Sequence, residues 1–443
     1  MSAPAVAPPD RTVRTSRTAT LLSTASDEAA TSLLPGLLTI TLGTSPIVLG
    51  IVEGLASAAD GIARLAGGAL SEDPRRRRWI SGGSYPTMAA LTGLIAVAGT
   101  GLQIGLLRAA SSAARGLRSP QRYAAVPDRV AAAGYGRAFG FERGMHHLAS
   151  VAGPLLAFTT LALLGVRSAM FVAMVPGLVA AVIGFRLLRQ APARPDAPRV
   201  TPRLRVRAVY RGRIGRLMTG ITLFEAANFA AVLLILRATK LLEQRDVLFG
   251  AAAMAVLLYV LWRLAAAAAS PCAGRAVDRF GPAPVMSVGV GTLLLAYAGF
   301  AFVPGTVPQL ACCFLLAGAA SGAVEAAEHV GVAQVAPVDL RWSAFGSLSA
   351  VRSFGRVTAT VGATVVWTLL GAEYGLLLAS PLMLAAIVVM TAGLSRSDRR
   401  LLARPRITTR VPGRVLLVGV GLALAPVVLV LLLALAGLLR SYP

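Results

Sequence analysis

The chain has 443 residues, 56% of them hydrophobic and only 14% charged, where a soluble domain carries about 25% charged residues. At a mean hydropathy of +0.71 there is too little polar surface to cover a water-soluble particle, which excludes a cytoplasmic enzyme. The net charge of +24 fits either nucleic-acid binding or the cytoplasmic loops of a membrane protein, and the placement of the arginines decides between them.

Residues 1–19 are proline-rich, carry Arg11, Arg14 and Arg17, and read as a disordered cytoplasmic tail. Apolar stretches of membrane-spanning length follow at 20–41, 47–70, 79–99, 102–124, 138–163, 168–189, 214–236, 248–271, 283–303, 307–331, 343–370, 374–394 and 414–439. Arg75 to Arg78, Arg129 and Arg137, residues 194–213, Arg275 and Arg279, Arg341, and residues 396–414 supply basic charge to alternate connections, while 43–46, 100–101 and 304–306 hold none. This asymmetry predicts a cytoplasmic N-terminus and makes the excess charge topological rather than a nucleic-acid footprint. Arg237, Lys240 and Arg245, after the seventh span, are an exception.

The stretch 190–213, rich in Pro and Arg, is expected to link two six-helix halves, 20–189 and 214–394. A basic cytoplasmic loop, 395–413, then leads to an extra transmembrane helix within 414–443, which ends outside; the alternative is that an earlier span, the fourth above all, fails to cross and the C-terminus returns to the cytoplasm. Cys272, Cys312 and Cys313 offer neither a disulfide framework nor metal-ligand spacing, and with only three histidines no metal or cofactor is expected.

GALSEDPRRRR begins at Gly68 and GRAVDRFGP at Gly274, 206 positions later; Ala138-Phe139-Gly140 and Ala344-Phe345-Gly346 repeat at the same offset. Six spans per copy keep both copies in one orientation, so this is a parallel duplication. The chain resembles transporters of the major facilitator superfamily, whose signature between helices 2 and 3 is G-x-x-x-D-R-x-G-R-R. The second copy fits through Gly274, Asp278, Arg279 and Gly281. In the first, Gly68, Arg76 and Arg77 are kept, but Glu72, Asp73 and Arg75 replace the Asp, Arg and Gly, so an altered turn is expected. Arg115-Gly116-Leu117-Arg118, the segment 136–141 and Gly153-Pro154 are similar to a group of poorly characterised bacterial permeases, and the likeness spans 20–395. It implies a central cavity lined largely by the first and fourth helices of each half.

Ionisable residues inside the spans ask for a partner or a role, because burying each in hydrocarbon costs at least about 2.5–3.5 kcal/mol. Asp27 and Glu28 in span 1 either exchange protons or neutralise an arginine. Arg108, Arg115, Arg118 and Arg122 fall on one stripe of span 4, which faces an anionic substrate group or acids on other helices unless its ends merely snorkel. Span 10 carries Glu325, Glu328 and His329 on one face, and the repeat offset maps Arg122 onto Glu328. A cytoplasmic gate is therefore expected in which Arg118 and Arg122 pair with Glu325 and Glu328; static packing is the alternative. His146, near Glu142, Arg143 and His147, either moves a proton or holds a structural hydrogen bond. Glu225 and Asn228 are candidate substrate or proton ligands, and Arg352 and Arg356 complete the acid pairing.

The sequence thus predicts an all-α polytopic membrane protein of two parallel six-helix repeats, 12 helices in all, with an extra C-terminal helix. Secondary active transport of a small anionic or zwitterionic solute is expected, proton-coupled and with export favoured over import, by a monomer in the cell membrane. No phosphate-binding GxxxxGK[ST] loop, DDxxD or HExxH occurs, which disfavours ATP-driven pumping and intramembrane enzymes. The second reading is a non-transporting scaffold or sensor derived from such a transporter.

Overall fold

Helix boundaries follow the punctuation of the sequence. In the computed structural model, residues 11–35, 37–38, 42–43, 46–128, 130–190, 203, 205–229, 231–243 and 251–395 are described, and no strand occurs among them. The α-helices are α1 (Arg11–Pro35), α2 (Pro46–Leu70), α3 (Pro74–Val97), α4 (Gly101–Ala124), α5 (Tyr135–Leu164), α6 (Val166–Gln190), α7 (Val206–Val209) and α8 (Gly212–Glu225). They continue with α9 (Ala231–Leu242), α10 (Ala251–Phe280), α11 (Pro282–Phe302), α12 (Val307–Val335), α13 (Arg341–Leu370), α14 (Ala372–Leu377) and α15 (Ala379–Ser395).

Three boundaries differ from expectation. Arg11–Ala19 has no helix breaker and forms the first turns of α1 rather than a disordered tail. The expected span 214–236 is broken after Glu225, and the span 374–394 is interrupted at Leu378 between α14 and α15. The segment 396–443, where the extra helix is expected, lies outside the described residues, as do 1–10 and 191–202 of the linker.

The helices gather into two compact units, one of residues up to Arg122 with Leu148–Leu204, the other of Tyr123–His147 with residues from Arg205 onward. Tyr123–His147 stands in the first half by sequence and in the second unit by packing. In the first unit α6 packs on α1 and α3; in the second, α15 packs on α8 and α11, the positions equivalent by the repeat. Thr100 and Thr306 repeat the duplication at helix starts. The Gln103 N–H donates to Thr100 Oγ1 at 3.2 Å, and the Thr306 N–H donates to Gln309 Oε1 at 3.2 Å.

Polarity is inverted relative to a soluble protein. Phe158, Leu163 and Leu369 are 72%, 81% and 74% exposed, whereas Asp27, Arg108, Arg143, Glu225 and Glu328 are buried. An apolar shell around interior charges suits hydrocarbon, where a charge must face inward to find a partner. Among the described residues, five helical stretches are long and apolar enough to cross a membrane: Val166–Arg186, Met254–Phe280, Pro282–Phe302, Val307–Val335 and Ala372–Met390.

Candidate functional site

Each unit encloses its own network of charges. In the first, the 3.6-residue period of α4 aims Arg108 and Arg115 at α1 and α2. Arg108 donates to Asp27 at 2.8 Å and to Thr31 at 2.6 Å, and lies 3.4 Å from Glu53. Arg115 donates to the other Asp27 oxygen and reaches Asp60 at 3.3 Å. Asp60 also pairs with Arg64 at 2.6 Å, and Arg64 donates to Ser119 at 2.7 Å. Gly116 permits this arrangement, since a methyl there would stand 2.6 Å from the Asp60 carbonyl oxygen and hold α4 away from α2. Glu28 accepts from Ser150 at 3.0 Å. Arg118 lies over the Tyr85 ring, 3.9 Å from its centroid, with a 3.4 Å contact to Ser23.

In the second unit, Glu325 of α12 sits where α5 and α13 meet it. One oxygen accepts from Arg143 and lies 3.2 Å from His147; the other pairs with Arg352. Arg143 also donates to the Tyr123 hydroxyl at 2.7 Å. Arg352 extends the network to Glu225 at 3.3 Å and Glu328 at 3.9 Å. His329 Nδ1 is 2.6 Å from the Glu325 carbonyl oxygen, and its ring lies among Tyr123, Phe139 and Phe345. Phe139 and Phe345, equivalent by the duplication, stack on each other at 6.0 Å.

The break between α8 and α9 lies beside this network and explains the divided span. Asn228 donates to Glu225 at 2.9 Å. Tyr297 of α11 accepts the N–H of Phe229 at 3.1 Å and donates to Asn228 at 3.3 Å. Unwound backbone at membrane depth survives only when such groups take over its hydrogen bonds.

The two signature loops differ in what their acids do. Asp278 accepts the backbone N–H groups of Gly136 at 2.6 Å and Arg137 at 3.0 Å, capping α5 from outside, and the Arg137 side chain adds a 3.3 Å ion pair. The approach is close: a methyl on Gly140 would stand 2.5 Å from the Ser270 carbonyl oxygen of α10. Gly281 turns the chain at φ 84° into α11, and Arg279 packs over Phe280. In the first copy, beyond Gly68 and Glu72, Asp73 caps its own following helix through the Arg75 N–H at 2.9 Å and pairs with Arg76 at 3.5 Å; Arg77 donates to the Ser71 carbonyl at 3.0 Å. The altered motif is thus a local N-cap. Arg237 and Lys240, the exceptions to the charge asymmetry, also have local duties. Arg237 donates to the Phe300 and Ala301 carbonyls and pairs with Glu373 at 2.9 Å, while Lys240 lies over Trp367.

Among the residues expected from sequence, Asp27, Arg108 and Arg115 come together, as do Glu225, Asn228 and Glu325. His147 reaches Glu325, with the His146 ring 6.0 Å from that of His147. For the expected gate, Arg118 has Tyr85 and Ser23 as neighbours within its unit, Arg122 follows one turn later on α4, and Glu325 and Glu328 have Arg352 within theirs. Sequence reasoning passed over Glu53, Asp60 and Arg64. Their spacings of seven and four residues put them on one face of α2, the signal already used for α4.

Apolar-shelled helices around buried ion-pair networks define a multi-pass α-helical membrane protein. Residues 18–360 match the model of the Major Facilitator Superfamily, and the chain belongs to that superfamily of membrane transporters, whose members are generally not enzymes. Its relatives include uncharacterised proteins of Mycobacterium tuberculosis and Mycobacterium bovis, 27% identical over 349 residues, covering 75% of this chain and 81% of theirs. Similar folds are those of the human organic anion transporter MFSD10 (TETRAN), 18% identical, TM-score 0.66, covering 86% of this chain and 100% of that one; and a bacterial homologue of the iron transporter ferroportin, 16% identical, TM-score 0.70, covering 87% and 100%. The proton:xylose symporter XylE is 15% identical, TM-score 0.62, covering 86% and 95%.

Proposed function

We propose that the chain is a secondary active transporter that moves a small solute across the cell membrane by alternating access, coupled to protons, with its N-terminus in the cytoplasm. The observation that carries the coupling is charge balance in the second unit. Three carboxyls, Glu225, Glu325 and Glu328, meet the guanidiniums of Arg352 and Arg143 within 4 Å. Glu328 is fully buried and neither of its oxygens accepts a hydrogen bond. One proton makes this group neutral, and delivering or removing that proton changes the cost of keeping it out of water. The proton-coupled symporter of similar fold supports this reading by analogy.

The substrate is an anionic or zwitterionic solute, in keeping with the arginines of α4 and with an organic anion transporter of similar fold. Export follows from the likeness to efflux-type permeases, by the same kind of analogy. The test is counterflow and pH-gradient-driven uptake of labelled solutes by the full chain in proteoliposomes. Uptake that collapses with the gradient, and loses its dependence on it in Glu328→Gln, is expected. A broad solute panel with no transport would sink the reading and leave the scaffold role.

A further inference from the structure

The arginines of α4 are not equivalent. Arg108 and Arg115 are matched by Asp27, Glu53 and Asp60. Arg118 is buried too, at 8% exposed, yet among the described residues no carboxylate lies within ion-pair distance of it. Its guanidinium has the Tyr85 ring on one side and a 3.4 Å contact to the Ser23 hydroxyl, and its Nη1 is buried with no hydrogen-bond partner.

The unmet donors extend beyond that atom. Gln121, one turn along α4, takes the Ser81 hydroxyl on its Oε1 and leaves its buried Nε2 without an acceptor. Ser84, the chain neighbour of Tyr85 on α3, likewise has a buried and unpartnered hydroxyl. A guanidinium and an amide one turn apart on α4, and a hydroxyl on α3, thus lack acceptors. Buried donors are ordinarily satisfied, and a charged one left unmet is costly. A group that cancels the deficit supplies negative charge and oxygen lone pairs. With Tyr85 against it, the guanidinium still offers the planar fork of N–H donors that binds an oxyanion in two parallel hydrogen bonds.

We propose that Arg118, with Gln121 one turn along α4, is an oxyanion site that takes the carboxylate or phosphate group of the transported solute. The assignment of the ligand as solute rests on the transporter reading above; the anion chemistry of the site does not. It makes Arg118, rather than the already neutralised Arg108 and Arg115, the residue that selects for charge.

The full chain in phosphatidylcholine nanodiscs is titrated with sodium benzoate and with inorganic phosphate against sodium chloride of equal ionic strength, and the unfolding midpoint is followed. One of the two anions is expected to raise the midpoint in a saturable way, which also separates a carboxylate from a phosphate ligand. Arg118→Gln is expected to weaken that effect at least about tenfold and Arg118→Lys to keep part of it, because Lys retains the charge without the fork. Should Arg118→Gln fail to fold, Gln121→Ala carries the same readout with a several-fold loss. The proposal is overturned if neither anion shifts the wild type, if the folded variants respond as the wild type does, or if only phosphatidylglycerol-containing discs give the shift. An anion response without counterflow of any solute refutes transport and leaves the site standing; counterflow without an anion response refutes the site alone.

Discussion

Glu325→Gln removes charge at the meeting point of α5, α12 and α13. Arg352 would still have Glu225 at 3.3 Å and Glu328 at 3.9 Å. Arg143 would have no carboxylate within ion-pair distance and only neutral acceptors, the Tyr123 hydroxyl at 2.7 Å and the new amide oxygen, and its side chain, 7% exposed, cannot be rescued by water. An uncompensated buried charge of this kind costs about 3–5 kcal/mol. Arg143→Gln added to Glu325→Gln removes the orphaned guanidinium, so the double variant is expected to be more stable than Glu325→Gln alone, with a coupling of up to about 3 kcal/mol. Denaturant titration of the purified chain in one detergent, compared across the four proteins of the cycle, measures this. A Glu325→Gln protein as stable as the wild type, or a double variant as weak as the sum of its parts, would refute the account of Glu325 as the fixed point of the network.

Tyr297→Phe deletes the hydroxyl that accepts from Phe229 and donates to Asn228, and is expected to cost about 1–3 kcal/mol in the same titration; a neutral result would mean the broken helix is held by something else. Asp278→Ala uncaps α5 and should cost about 1–2 kcal/mol, with Asp278→Asn closer to the wild type; equal losses would point to lost charge rather than lost acceptors. Gly140→Ala forces a methyl toward the Ser270 carbonyl and should destabilise by about 1–3 kcal/mol, an expectation that wild-type stability would contradict.

The helices were legible because long apolar runs and Pro or Gly boundaries are local features, and the duplication because its offset holds at the loop motifs and at Phe139 and Phe345. The same offset at Thr100 and Thr306 was equally open to reading but is carried by too few letters to stand out. The broken span was not legible. Residues 226–229 look apolar enough to continue a helix, and the group that takes up the Phe229 N–H is Tyr297, 68 residues away in sequence. The stripe on α4 was read from period alone, but period gives the face and not the partner. Only the fold separates Arg108, which has Asp27 and Glu53, from Arg118, which has an aromatic ring.

The two units resolve the cost of interior charge with opposite residues left over. In the first, guanidiniums on α2 and α4 share the carboxylates of Asp27, Glu53 and Asp60, and Arg118 is left with unmet donors. In the second, Arg143 and Arg352 are shared among three carboxyls, and Glu328 is left with unmet acceptors. Stability alone favours removing both remainders, since replacing a poorly matched buried charge with an apolar side chain is often neutral or stabilising. A donor surplus takes up an anion and an acceptor surplus takes up a proton, and these are the two cargoes that a proton-coupled carrier of anionic solutes must hold at separate places. Arg118 and Glu328, two of the groups that the packing leaves unsatisfied, are therefore the ones to which the proposed activity assigns a ligand.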